Sequence, residues 1–306
     1  MATPAQVPMT KSILPEAVAS KTISERKTAR RENWRLIRKR PGFIVGTIIT
    51  LFWVVCAIGG DKITPHNPLD FRTAPNLKPG TVVNGVRLWL GSDSNSRDVL
   101  SRIMAGARNV LSVAPLAAFL GVLAGTVLGL VMGYYRGVVD QIVGRLVEAL
   151  LALPVLLLGL LAITVFGKSN TVVIIVVAVL FAPVVTRTVR AAVLAERDLD
   201  YVTSARLRGE SSAFIMFREI LPNVTGPVIV ELTVRIGYAV FTVATLSFLG
   251  AGPPPPSPDW GAQVSENYSL LSANIWWATI FPALAIASLV IAVNLIADAV
   301  QSVVEA

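Results

Sequence analysis

Few side chains in this sequence are of a type that does covalent or acid–base chemistry. There is one His, His66, and one Cys, Cys56. A His/Cys zinc site needs about three or four ligands, so no metal site is expected, and His66 reads as a solvated side chain. Gly167-Lys168-Ser169 has the end of a phosphate-binding loop. The first glycine of that motif would fall at Ala162, so no nucleotide site is expected here. No Gly-x-Ser-x-Gly nucleophile elbow occurs. What remains is a set of charges inside apolar stretches. Arg145 and Glu148 are three apart, Glu231 and Arg235 four apart, and Asp298 lies four after Asn294. Such spacings put each pair on one helix face. A charge at the centre of a bilayer costs at least about 2.5–3.5 kcal/mol. These residues therefore either pair with each other or line a path for a charged solute. Glu231 and Arg235 are the candidates for a translocation path, where they would meet a zwitterion.

The elements holding those charges follow from composition. The 306 residues are 54% apolar and only 15% charged, with a mean hydropathy of +0.65. Soluble domains carry roughly 25% charged residues. The net charge is +8, yet residues 1–41 alone hold ten Lys/Arg against three acids. The basic character thus belongs to a cytoplasmic tail, 1–41, whose 24–40 stretch suits an anionic membrane surface. No groove-reading motif supports a nucleic-acid partner.

Six segments reach the roughly 20 apolar residues of a bilayer-spanning helix: 42–60, 110–133, 142–166, 171–190, 225–250 and 279–300. Pro115, Pro154, Pro183 and Pro282 interrupt them, which membrane helices tolerate. Gly121, Gly125, Gly129 and Gly133 place a small stripe on one helix face. With the N-terminus inside, the inner loops hold 17 Lys/Arg and the outer loops 8, predicting N-in, C-in. The expectation is an all-α integral membrane protein of the cytoplasmic membrane. Its parts are the tail 1–41, a first span with an outer loop over 42–109, a five-helix core over 110–300, and a short tail 301–306.

One inner loop has real size, 191–224. It reads as two amphipathic helices, the first with Leu199, Val202 and Ala205, the second with Phe214, Ile215, Phe217 and Ile220. Gly209 turns the chain between them, and Pro222 ends the second. On the outer side, Pro253, Pro254, Pro255 and Pro256 favour a stiff polyproline II rod, followed by Asp259 and Trp260.

Ala205-x-x-x-Gly209 followed by Ile220-Leu221-Pro222-Asn223 resembles the coupling loop of ATP-binding-cassette importer permeases. The stretches 246–262 (LSFLGAGPPPPSPDWGA) and 91–108 (GSDSNSRDVLSRIMAGAR) resemble signatures of the dipeptide/oligopeptide permease family. Pro65, Asn67 and Pro68, with Asn294, Leu295 and Asp298, add to the likeness. It covers roughly residues 33–300 and points to the C-type subunit. The resemblance implies a type I importer permease moving peptides by alternating access. Its implied partners are a second permease subunit, two ATPases that hold the ATP and Mg, and an extracytoplasmic binding protein. It implies that Thr203, Ser204, Ala205, Gly209, Ile220, Leu221 and Pro222 form the coupling loop, and that 253–260 form an outer gate or docking loop. Thr203-Ser204-Ala205 departs from the usual Glu-Ala-Ala, and Glu219 stands where the family often has His. Nickel or glutathione remain alternative cargoes, and a stand-alone secondary transporter is the rival class.

Overall fold

The computed structural model describes residues 40–71, 74–83 and 85–304. The basic tail, with its proposed 24–40 helix, lies almost wholly outside the described residues. Among the described residues the regular structure is helical, apart from a two-stranded ribbon in the 60–98 loop, β1 (Val82–Val83) and β2 (Val86–Arg87). Five helices among the described residues are long and apolar enough to cross a membrane. They are α1 (Pro41–Gly59), α2 (Val99–Tyr135), α5 (Asn170–Glu196), α8 (Thr225–Leu246, running on through Ser247–Ala251) and α10 (Trp277–Val304).

The segment expected as one span over 142–166 is instead a bent pair. Helices α3 (Gly137–Ala152) and α4 (Val155–Phe166) meet at 92°. The cause is Pro154. A proline pushes its predecessor out of the helical region, and Leu153 is extended at φ −91, ψ 141. A sixth crossing exists only if this bent pair makes it together.

The second correction concerns α2. The sequence placed its start at residue 110, yet it begins at Val99 and runs 37 residues, about 55 Å at 1.5 Å per residue. That exceeds the roughly 30 Å apolar core of a bilayer, so α2 projects beyond the membrane. Asp98 caps it by accepting from the Ser101 N–H at 3.0 Å. The polar, charged composition of 91–109 hides this extra helix from any hydropathy reading.

Helices α2 and α5 form the central pair, and the glycine stripe joins them. A Cβ on Gly125 would lie 2.6 Å from Val185 Cβ and 2.7 Å from the Ala182 carbonyl, and Gly129 and Gly133 meet Val189 and Val193 as closely. Without side chains on one face the backbones approach as close-packed membrane helices do. Gly125→Leu should therefore destabilise the chain by about 1–3 kcal/mol through overpacking, read as a lower thermal midpoint in detergent. An unchanged midpoint would mean the contact is looser than described.

Two apolar clusters result. One joins α1, α2, α5, α8 and α10 towards the outer side, around Trp53, Trp260, Trp277 and Leu289. The other lies at the opposite end, around Leu130, Val185, Val189 and Val193, and it carries the 191–224 loop.

Candidate functional site

The loop expected to couple does form two helices. The first is α6 (Asp200–Leu207); the second, α7, spans 212–223 with a π-helical middle at Ile215–Ile220. Gly209 sits between them at φ +76. Its N–H donates to the Arg206 carbonyl at 3.0 Å, and the Glu210 N–H donates to the Ala205 carbonyl at 3.2 Å. This is the paired bonding of a Schellman helix end, which favours glycine at the left-handed position. Ser211 then caps α7, accepting from the Phe214 N–H. Pro222 does not end α7 outright; the helix passes through it to Asn223, and α8 follows from Thr225.

The amphipathic reading holds for four of the seven named side chains. Val202, Ala205, Ile215 and Ile220 are fully buried in the inner cluster. Leu199, Phe214 and Phe217 are exposed instead, as is Leu207 at 85%. Thr203, Ser204 and Gly209 lie on the same open side, Leu221 is half-buried and Pro222 is exposed. Exposed large apolar side chains among polar ones mark an interaction surface.

Polar ties hold α6 to the spans. The Tyr201 hydroxyl donates to Glu196 at 2.8 Å; burial first, then the Glu196 carboxylate, pushes its pKa up to about 12. The Arg206 guanidinium donates to the Arg197 carbonyl and lies 5.4 Å from the Tyr134 ring. Arg136 at the end of α2 pairs with Asp198 at 2.9 Å, and Arg208 reaches Glu219 of α7 at 3.3 Å.

Among the membrane charges, Glu231 and Arg235 pair with each other at 2.9 Å. Glu231 also accepts from the Thr188 hydroxyl at 2.7 Å, and the Arg235 guanidinium lies between the Phe181 and Tyr238 rings. The expected Arg145–Glu148 pair does not form; among the described residues neither has an ion-pair partner. Asp140 instead accepts from Nε and Nη2 of Arg190 on α5, one on each carboxylate oxygen, at 2.6 Å each. Asp298 is exposed on α10.

The end of the bundle away from the 191–224 loop holds a constellation that residue spacing did not reveal. Asp93 and Glu266 sandwich two buried cations. Arg97 binds Asp93 at 2.8 Å and also Glu266. Arg102, fully buried, lies 3.2 Å from Asp93 and 3.4 Å from Glu266. Burial holds the Glu266 carboxyl above its ordinary range, against the pull of Arg97. Helix α9 (Trp260–Asn267) is locked alongside. The Trp260 indole donates to the Ile103 carbonyl at 2.7 Å, and Gln263 donates to the Arg102 and Pro258 carbonyls. Asp259 caps α9 and accepts from Asn109. A Cβ on Gly106 would sit 2.1 Å from the Pro258 carbonyl, so glycine permits this contact. The two outer sequence signatures, 91–108 and 246–262, are thus two halves of one buried interface.

Two expectations change here. The chain turns at 254–257, where the Ser257 N–H donates to the Pro254 carbonyl at 3.3 Å, so 253–256 is not a continuous polyproline rod. His66 is not freely solvated: its Nδ1 lies 3.3 Å from Asp98 Oδ2, and its side chain is 27% exposed.

Long apolar helices with a glycine-packed central pair and one amphipathic helical loop define a membrane-embedded helix bundle. The chain belongs to the family of binding-protein-dependent transport system inner membrane components, whose model matches residues 125–306. It is therefore an inner-membrane protein. It is 39% identical over 280 residues to the dipeptide transport system permease protein DppC of Escherichia coli K12, covering 91% of this chain and 93% of that one. It is 32% identical to the di/tripeptide transport system permease protein DppC of Pseudomonas aeruginosa, over 90% and 91% of the two chains. It is 35% identical to the glutathione transport system permease protein GsiD of Shigella flexneri, over 91% of each.

Proposed function

We propose that this chain is the permease subunit of an ATP-driven peptide importer, inserted N-in, C-in with six crossings. The observation that carries the reading is the 191–224 loop. Its inner side is packed into the α2–α5 cluster, while Thr203, Ser204, Leu207, Phe214 and Phe217 stand open. An ATPase subunit docks on that open side and holds the ATP and Mg; this chain contributes neither a cofactor nor a metal. When two ATPases close, α6 moves, and the Tyr201–Glu196 and Arg136–Asp198 ties pass the motion to α5 and α2. A second permease subunit completes the path, and an extracytoplasmic binding protein delivers cargo near 253–260. Dipeptide-transport relatives support peptides as cargo, while the glutathione permease keeps a modified tripeptide as the alternative.

Glu231 and Arg235 serve this reading as the path's charged pair. Their contacts with Thr188, Phe181 and Tyr238 present one anion and one cation together, matching the termini of a zwitterionic peptide. The test is uptake of labelled dialanine into vesicles holding the full assembly, the binding protein and ATP. ATP-dependent uptake is expected, and none from the chain alone under a proton or sodium gradient. Gradient-driven uptake by the single chain would favour the secondary-transporter class instead. In the same vesicles, Glu231→Gln with Arg235→Gln should reduce uptake about tenfold, or 1.4 kcal/mol. Unchanged uptake at unchanged expression would remove the pair from the path.

A further inference from the structure

Two adjoining clefts meet at Arg108, and they differ in character. The deeper one, about 520 Å³, lies between α1, α2, α8 and α10. Its wall is almost entirely apolar, with Val54, Ala57, Ile58, Leu111, Ile236 and Val293 along it. The shallower one, about 330 Å³, lies above it against Gly60, Asn109, Asn170 and Pro258. Arg108 and Ser112 line both.

Their level in the membrane follows from α1. Nineteen residues at 1.5 Å each give about 28 Å, close to the roughly 30 Å apolar core. Gly60, just past the end of α1, therefore stands at a membrane–water interface. The Arg108 guanidinium lies beside it, since a Cβ on Gly60 would be 4.0 Å from Arg108 Nη1. The apolar cleft descends from there to Thr50, ten residues or about 15 Å along α1. Arg108 is exposed and has no ion-pair partner among the described residues. Among the side chains the structure describes, no acid lines either cleft. A polar pocket with an uncompensated cation at interface depth, continuous with an apolar slot running inward, has the two-part chemistry of an amphiphile.

We propose that this double cleft binds one anionic phospholipid, with its phosphate on Arg108 and one acyl chain between α1 and the core. The lipid belongs to the leaflet on the α9 side, the outer leaflet in the orientation proposed above, though its binding does not depend on that orientation. It wedges α1 against α2, α8 and α10 without entering the Glu231–Arg235 region, which faces α5.

Native mass spectrometry of the assembly purified in dodecyl maltoside tests this. The expected result is one retained phospholipid per chain, reduced at least fivefold by Arg108→Gln and also by Ala57→Phe, which fills the slot. Arg108→Lys, which keeps the charge, should retain it. After delipidation, added phosphatidylglycerol should rebind at lower concentration than phosphatidylethanolamine. Equal retention in wild type and both disruptive variants would overturn the proposal. So would displacement by dialanine, which would assign the cleft to cargo. If Arg108→Gln no longer elutes as a single assembly, Arg108 is a structural residue and the proposal also fails.

Discussion

Replacing Arg102 by Met should remove most of the folded chain from the membrane. Arg102 is fully buried and stands between Asp93 and Glu266, with a further contact to the Ser257 carbonyl. The substitution preserves bulk but leaves two buried acids with Arg97 alone. Deleting one partner of a buried ionic network costs about 3–5 kcal/mol, because an uncompensated charge stays behind. Folded proteins hold only about 5–15 kcal/mol in total. The expected readouts are a large fall in thermal midpoint and a membrane fraction depleted of the chain. Adding Glu266→Gln to Arg102→Met restores the charge balance and should recover part of the loss, a coupling that a double-mutant cycle measures. An Arg102→Met protein as stable as wild type would show that the network is not under tension between its charges. The contrast is Arg208→Ala on the 191–224 loop. Its pairs with Glu210 and Glu219 are largely exposed, and such pairs are worth about 0–1 kcal/mol.

A two-residue insertion after Gly209 should abolish uptake while leaving the protein in place. The Schellman turn at Gly209 sets the relation of α6 to α7. Each helix keeps its own anchors, Val202 and Ala205 in one, Ile215 and Ile220 in the other. The insertion therefore spares burial and alters only the spacing between the helices. If the loop transmits ATPase closure, uptake should fall more than tenfold, equivalent to over 1.4 kcal/mol of coupling. ATP hydrolysis and membrane content should persist. Full uptake after insertion would exclude the loop as the transmitter. Gly209→Ala is milder: a left-handed backbone costs a Cβ-bearing residue about 1–2 kcal/mol, so it should lower stability modestly and leave coupling intact.

The sequence is most informative where the signal is local. The +7 of residues 1–41 marks a basic tail, and six apolar runs mark spans, five of which are long helices and one a bent pair. The Gly121–Gly133 stripe announces a close helix contact without saying which helix receives it; the structure assigns α5. Val202, Ala205, Ile215 and Ile220 were legible as an apolar face because helical periodicity is a short-range property. Leu199, Phe214 and Phe217 were read with them but face outward, since periodicity shows that a face exists and not how wide the covering surface is.

What only the tertiary structure decided are pairings between residues far apart in the chain. Asp93 and Glu266 share Arg97 and Arg102 across more than 160 positions, and Glu231 finds Thr188 across 43. Nothing in local spacing encodes such meetings, because they depend on which helix faces which. The break at Leu153–Pro154 lies between these cases. Pro154 was visible, yet membrane helices often absorb a proline, and only the structure shows that this one holds Leu153 extended and bends the chain by 92°. By itself the sequence determined a membrane bundle with one helical loop over 191–224, since hydropathy and period act within a single helix. The ion network that locks α9 onto α2 was left to the fold, since buried charges can be paired only after the helices have been brought together.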